Sequence, residues 1–379
     1  MRRRTGFIWR ERFGWHDLGA GAGPLRAGGW VQPGRPHAEN AETKRRIYVL
    51  VEESGLLGHL TRLEPRPATD AELLRFHADA YLEKVERLSA GEGGEVGLDG
   101  LVPRGSSEVA RLAAGAALVA VEAVLAGEVD NAYALVRPPG HHAEADAGLG
   151  FCIFNNVVLA ALHARAAGVG RIAIVDWDVH HGNGAQAAFY DDPDVLTISI
   201  HQDSVFPPNS GRLDECGAGA GVGANVNLPL PPGCGRGAYF DAFERLIEPR
   251  LREHRPELLL VACGFDPGAF DPMGRQLLNS SAFGTLAERM LAVADETCDG
   301  RLVMTHEGGY HAGFVPFCGL AVLEALSGRR TEVVDPMDEP VAAMAGQDLA
   351  PHQREAVDAA IAAAQAARVV DPPTGPGSP

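Results

Sequence analysis

The sequence predicts an α/β protein, a single domain built on a mainly parallel sheet flanked by helices. Three observations carry this prediction. Short β-type runs alternate with helical stretches through the middle of the chain. The 379 residues are 46% hydrophobic and include 46 Gly and 26 Pro, more turn formers than a helical bundle uses. No internal repeat and no Ser/Gly-rich linker divides the chain.

In chain order, residues 1–29 are rich in Gly and Arg and read as an N-terminal extension to a domain spanning 30–369. The opening arginines, Arg2 to Arg4, resemble a signal peptide, but Arg10, Glu11 and Arg12 follow before any apolar stretch develops, so no secretion signal is expected. Thr69-Asp70-Ala71-Glu72 is a capping box that opens a helix through about residue 89, and an Ala/Val/Leu helix follows over 107–126. Strands are predicted over 133–136, 172–175, 195–200, 226–230, 258–262 and 302–305. Helices lie between most of them, over 155–167, 184–189, 236–254 and 281–297. A final helix over 354–369 leads to a Pro/Gly tail, 370–379, expected to be disordered.

Charge and cysteine usage narrow the function classes. Against 33 Lys and Arg stand 50 Asp and Glu, a formal net charge of −17, which disfavours nucleic acid or an anionic membrane as a partner. Apolar runs such as 258–262 are far shorter than the ~20 residues that cross a bilayer. Cys152, Cys216, Cys234, Cys263, Cys298 and Cys318 form no C-x-x-C pair, so reduced thiols in a cytoplasmic protein are expected.

In parallel α/β sheets ligands bind beyond the carboxyl ends of the strands. After 133–136 comes Arg137-Pro138-Pro139-Gly140-His141-His142, two adjacent imidazoles behind a stiff turn. After 172–175 comes Asp176-Trp177-Asp178-Val179-His180-His181-Gly182-Asn183-Gly184. Alternation on an extended segment would put Asp176, Asp178 and His180 on one side, offering carboxylate and imidazole to one point. After 258–262 comes Cys263-Gly264-Phe265-Asp266, and after 302–305 comes His306-Glu307-Gly308-Gly309-Tyr310. Taken singly, each is an ordinary polar strand end, but four of them in one sheet are neighbours. Asp178, His180 and Asp266 would supply three protein ligands and leave a position open, the pattern of a catalytic rather than a structural zinc.

These linked motifs resemble the histone deacetylase branch of the arginase/deacetylase superfamily, over about residues 36–329. Trp177 and Asn183 resemble its class II pattern, and the likeness is strongest to bacterial histone deacetylase-like amidohydrolases. Phe151-Cys152-Ile153-Phe154-Asn155-Asn156 and Phe206-Pro207-Pro208 support that branch. The resemblance implies an eight-stranded, mainly parallel sheet with helices on both faces, forming a catalytic domain. It assigns one Zn2+ to Asp178, His180 and Asp266, as the spacing did; Fe2+ would suit the same donors in the cell. It also implies K+ held by Asp176, Asp178, His180, Ser199 and Ile200, and a second K+ near Phe189 and Val195.

The implied reaction is hydrolysis of an acetyl or acyl amide to acetate and amine. His142, paired with Asn183, would be the base and then the acid. His141, paired with Asp176, would orient the water, and Tyr310 would donate to the oxyanion. Phe151 and Phe206 would wall a tunnel for an acyl-lysine stem, with Gly150, Met273 and Gly308 lining the substrate path. The expected partner is an acyl-lysine peptide or protein, or a small acetylated amine, with a homo-oligomer compatible with the resemblance. An acetylpolyamine amidohydrolase is the alternative; polyamine-selective relatives carry Glu in an Asp-Pro-Glu-Gly context, and this chain has Asp271-Pro272-Met273-Gly274. A non-catalytic acyl-ligand module is the reading from another class, and the complete set of histidines, ligands and tyrosine argues against it.

Overall fold

Eight parallel strands form the central sheet of the protein, a computed structural model that describes residues 2–32 and 34–369. In chain order they are β1 (Thr5–Ile8), β2 (Thr61–Arg62), β3 (Asn131–Ala134), β4 (Ile172–Asp176), β5 (Val195–Gln202), β6 (Asn225–Leu230), β7 (Leu258–Cys263) and β8 (Leu302–His306). Their spatial order is β6-β5-β4-β7-β8-β3-β1-β2. From β4 the sheet grows outward through β5 and β6, and the chain then returns to place β7 on the other side of β4. Succession reverses between β4 and β7, the position where such sheets open a crevice at their carboxyl ends.

The pleat splits the core in two. Ala173 and Val175 face one apolar cluster with Leu259, Val261, Leu302 and Met304. Ile172 and Ile174 face the other with Leu258, Leu260, Ala262 and Val303. Burial on both faces explains why these strands are continuous apolar runs rather than alternating ones. Helices Glu42–Glu53, Ser280–Cys298 and Val315–Ser327 cover the first face, and helices Ser106–Leu125 and Asn156–Ala166 cover the second. The C-terminal helix, Pro351–Val369, packs on β6; the expected disorder of 370–379 lies outside the described residues.

The predicted strands and most predicted helices fall within a few residues of the observed ones; the helices Glu42–Glu53 and Val315–Ser327 are not among those predicted, and three expectations differ from the structure. The N-terminal stretch is not a separate extension: Thr5–Ile8, wholly buried, is paired with β3 on one side and β2 on the other. Four residues between charged flanks show too short a period to be read as a strand. The helix expected over 69–89 is two, Asp70–Leu73 and Asp79–Ala90. The capping box is present at Thr69, but the chain leaves the helix so that Ala78 N–H can donate to Ala145 O (2.8 Å) and His77 Nδ1 can meet Glu144 O (3.0 Å). The helix over 236–254 is continuous but widens to a π turn at Phe243–Ile247.

Candidate metal centre

The loops after β3, β4, β7 and β8 converge at the β4/β7 crevice. The segment after β4 is not extended, so side-chain alternation does not place its ligands. Instead Asp176 Oδ1 accepts the Asp178 N–H (3.0 Å) and Asp178 Oδ1 accepts the His180 N–H (3.0 Å). Two successive turns closed by aspartate side chains aim Asp178 and His180 at one point. Asp266, after β7, is set by its Oδ1 accepting the Val179 N–H at 2.8 Å.

The donor atoms of Asp178, His180 and Asp266 all lie within 4.8 Å of one another. His180 Nδ1 is 2.9 Å from Asp178 Oδ1 and 3.2 Å from Asp266 Oδ2. Asp266 Oδ2 is buried and accepts no hydrogen bond, an orphaned carboxylate oxygen aimed into a cluster of two carboxylates and one imidazole. Burial opposes protonation of His180, yet its hydrogen bond to Asp178 and the negative charge of Asp266 beside it raise its pKa to about 10. Burial, reinforced by Asp178, pushes Asp266 up to about 6. A buried set that holds a proton this firmly fits a divalent cation, with hard oxygens and one borderline nitrogen. Gly308 closes the floor: its N–H donates to Asp178 Oδ2 (2.8 Å), and a Cβ there would fall 2.2 Å from Asp266 Oδ2.

Two histidines flank the cluster, their ring centroids 3.9 Å apart. His141 Nδ1 meets Asp176 Oδ2 at 2.8 Å, and His142 Nδ1 meets Asn183 Oδ1 at 2.8 Å. The pairs titrate in opposite directions. Burial would lower His141, but the carboxylates of Asp178 and Asp176 overcome it and raise the imidazole to about 10. Burial, with repulsion from His141 and His180, pushes His142 well below the usual histidine range. One ring is held charged beside one held neutral, the division of labour that acid–base chemistry needs.

Tyr310, after β8, packs with Phe151, Met273, Leu18 and Leu101. Burial and the nearby Asp266 and Asp178 push its phenol well above its usual range, so it remains a donor. The Phe151 ring stands edge-on to Tyr310 at 6.2 Å, and the Phe206 ring lies 4.8 Å from His142 and 6.2 Å from His180. Gly150, at φ 49°, has no room for a side chain: a Cβ would lie 2.4 Å from His142 Cδ2 and 2.8 Å from Phe206. Ser199, on β5, accepts the Gly182 N–H (3.2 Å) and with Asp176 lines a small cavity beneath the cluster. Ile200 is buried on the same strand, while Phe189 and Val195 are buried at the end of the helix Asn183–Phe189 and the start of β5.

Sequence reading missed four residues that shape this site. Glu307 accepts the main-chain N–H groups of Gly140 (2.7 Å) and His141 (3.0 Å), and burial raises it to about 7. Asp271 accepts the N–H groups of Tyr310 (2.7 Å) and Met273 (2.8 Å). Glu144 accepts from Asn183 Nδ2 at 2.8 Å. Leu18 comes from the stretch read as an extension. The first two stand inside motifs already singled out, where a buried carboxylate among glycines could have been flagged.

Residues 37–326 match the histone deacetylase domain. The chain is 49% identical over 340 residues to the histone deacetylase-like amidohydrolase of Pseudomonas aeruginosa, covering 89% of this chain and 90% of that one. It is 38% identical to a probable deacetylase of Archaeoglobus fulgidus, covering 77% of this chain and 82% of the relative. Among solved structures, the crystal structure of the HDA15 HD domain superposes with a TM-score of 0.84 at 28% identity, covering 96% of this chain and 94% of the other.

Proposed function

With the chain thereby a member of the histone deacetylase family, a family of zinc-dependent deacetylases, we propose that Asp178, His180 and Asp266 hold the zinc and that His141, His142 and Tyr310 perform the hydrolysis of an acyl-lysine amide. The observation that carries this reading is the juxtaposition of the converging donor atoms of Asp178, His180 and Asp266 with two adjacent histidines, one bonded to Asp176 and the other to Asn183. Bound zinc would polarise the amide carbonyl and acidify water.

The chain's own residues divide the remaining work. Neutral His142 takes the proton from the attacking water at Nε2 and returns it to the departing amine. Its Nδ1 is engaged by Asn183 Oδ1, so the free nitrogen is the one available to the water. Cationic His141, neutralised on its far side by Asp176, orients that water. Tyr310 donates its hydroxyl to the oxyanion that forms at the acyl carbon. Phe151, Phe206 and Gly150 grip the methylene stem, and the bare backbone at 150 lets Phe206 and His142 close in beside it.

The substrate is an acyl-lysine peptide or protein. Met273 stands in the apolar cluster with Leu18 and Leu101, so no carboxylate at that position meets the distal ammonium of a polyamine. Asp176, Asp178, His180, Ser199 and Ile200 would hold K+ beneath the zinc, and Phe189 and Val195 a second K+. Among the described residues no helix is long and apolar enough to cross a membrane.

The test is amine release from a fluorogenic acetyl-lysine peptide by metal-stripped protein given back one equivalent of zinc, beside Asp178→Ala and with acetyl-putrescine as a second substrate. Restored turnover on the peptide, absent from the variant, is expected. Faster turnover of acetyl-putrescine would replace the substrate assignment, and full activity in Asp178→Ala would remove the ligand set.

A further inference from the structure

The chain of contacts behind His142 does not end at Asn183. Asn183 Nδ2 donates to the His142 carbonyl (3.0 Å) and to Glu144 Oε1 (2.8 Å). A carbonyl and a carboxylate only accept, so the amide nitrogen must face them; turned over, the amide would set its oxygen against two oxygens. With Nδ2 fixed there, Oδ1 is fixed toward His142, and only an N–H can meet it. The proton of neutral His142 is then on Nδ1 and the lone pair on Nε2. The geometry points to Glu144 as the positioning residue that sets this tautomer, acting through the Asn183 amide; the inference rests on the reading of His142 as the base.

Glu144 is itself held in place before substrate arrives. Its carbonyl is met by His77 Nδ1 (3.0 Å), whose Nε2 accepts the Asn155 N–H (3.0 Å). Its N–H donates to Ala147 O (2.8 Å), and Asn155 Nδ2 donates to Ala143 O (2.8 Å) on the other side of the turn. The break between the helices at 70–73 and 79–90, which frees His77 for this contact, thus supports the turn that carries both His142 and Glu144. The arrangement also accounts for an amide at 183: an aspartate there would bring two carboxylates to hydrogen-bonding distance with no proton between them.

The experiment uses the zinc-loaded full chain and four variants, Glu144→Ala, Glu144→Gln, Asn183→Asp and the double Asn183→Asp/Glu144→Gln, each with its zinc content measured. Loss of the orienting acceptor in Glu144→Ala should lower kcat about 10-fold with KM within about twofold, a fraction of what a general base contributes. Glu144→Gln keeps a carbonyl acceptor at the same reach and should lose less. Asn183→Asp should be impaired, and adding Glu144→Gln, whose amide can donate to the new carboxylate, should recover about 10-fold, where independent sites would give a further loss.

A second readout is the tautomer itself, from 15N spectra of histidine-labelled protein with the His142 signals assigned by their loss in His142→Ala. The wild type should show a protonated Nδ1, and Glu144→Ala a mixture of the two forms. An unchanged tautomer in Glu144→Ala, or additive losses in the double variant, would overturn the inference. Should one variant not fold, the Gln variants and the spectra still decide it. Wild-type turnover in His142→Ala would instead remove the base assignment, while the spectra would still report on Glu144.

Discussion

Asp271 accepts the main-chain N–H of Tyr310 at 2.7 Å with one carboxylate oxygen and the N–H of Met273 at 2.8 Å with the other. One buried side chain thus ties the phenol-bearing loop after β8 to the Met273 segment after β7. Asp271→Ala frees both loops, and kcat should fall about 10-fold, since misplacement of a catalytic group by an ångström is costly. Asp271→Asn keeps one acceptor and should sit between the two. Steady-state kinetics with equal zinc content decide this; a rate matching wild type in Asp271→Ala would show that Tyr310 is placed by packing alone.

Tyr310 is protonated at neutral pH because burial and the aspartates push its phenol up. Tyr310→Phe keeps the ring against Phe151 and removes the donor. Turnover should drop by about 10² to 10³, with little change in the Kd of a zinc-chelating inhibitor measured by calorimetry. A near-normal rate would remove the oxyanion role.

Behind the site, Glu39 is wholly buried between Arg137 (2.7 Å) and Lys44 (3.3 Å). Burial alone would raise its pKa, but the two cations hold it well below the carboxylate range. Stability from this group is therefore present above the ordinary glutamate pKa and is lost only as the pH falls through the depressed folded value. Glu39→Ala leaves two buried cations unmatched and should cost about 3–5 kcal/mol in urea unfolding at pH 7. A loss under about 1 kcal/mol would mean that water or another anion reaches them.

His77 is buried beneath the turn that carries Glu144. Burial lowers it to about 4, so between the ordinary histidine pKa and that value the unfolded chain binds a proton the folded chain refuses. Its contribution is fully present above about pH 6.5 and declines as the pH falls toward 4, by about 3 kcal/mol in all. His77→Gln lacks this decline, so the stability gap between wild type and variant should narrow on acidification from pH 7 to pH 4.5. A constant gap would show that His77 protonates freely in the fold.

The sheet and the clustering of Asp178, His180 and Asp266 were legible because they rest on local signals: six buried strands announce themselves as short apolar runs, and the polar residues directly after them belong to one edge of the sheet. Thr5–Ile8 and Thr61–Arg62 were not legible, because strands of four and two residues carry no measurable period and owe their place to pairing with residues far along the chain. Asp178 and His180 were selected for a reason that the structure replaces, turns in place of strand alternation. Glu144, Asp271 and Glu307 act on main-chain N–H groups or on another side chain's amide, and such partners leave no spacing in the sequence to read.

The position of β3 has a consequence for the order in which the protein can be assembled. Asn131–Ala134 is wedged between β1 and β8, so the strand that leads into the two histidines pairs on one side with the start of the chain and on the other with residues about 170 positions later. Contacts of that separation make folding slow and late. During synthesis, the histidine pair cannot be locked against the rest of its cluster until the ribosome has passed residue 306, and a chain stopped before β8 leaves the facing edges of β3 and β7 unpaired.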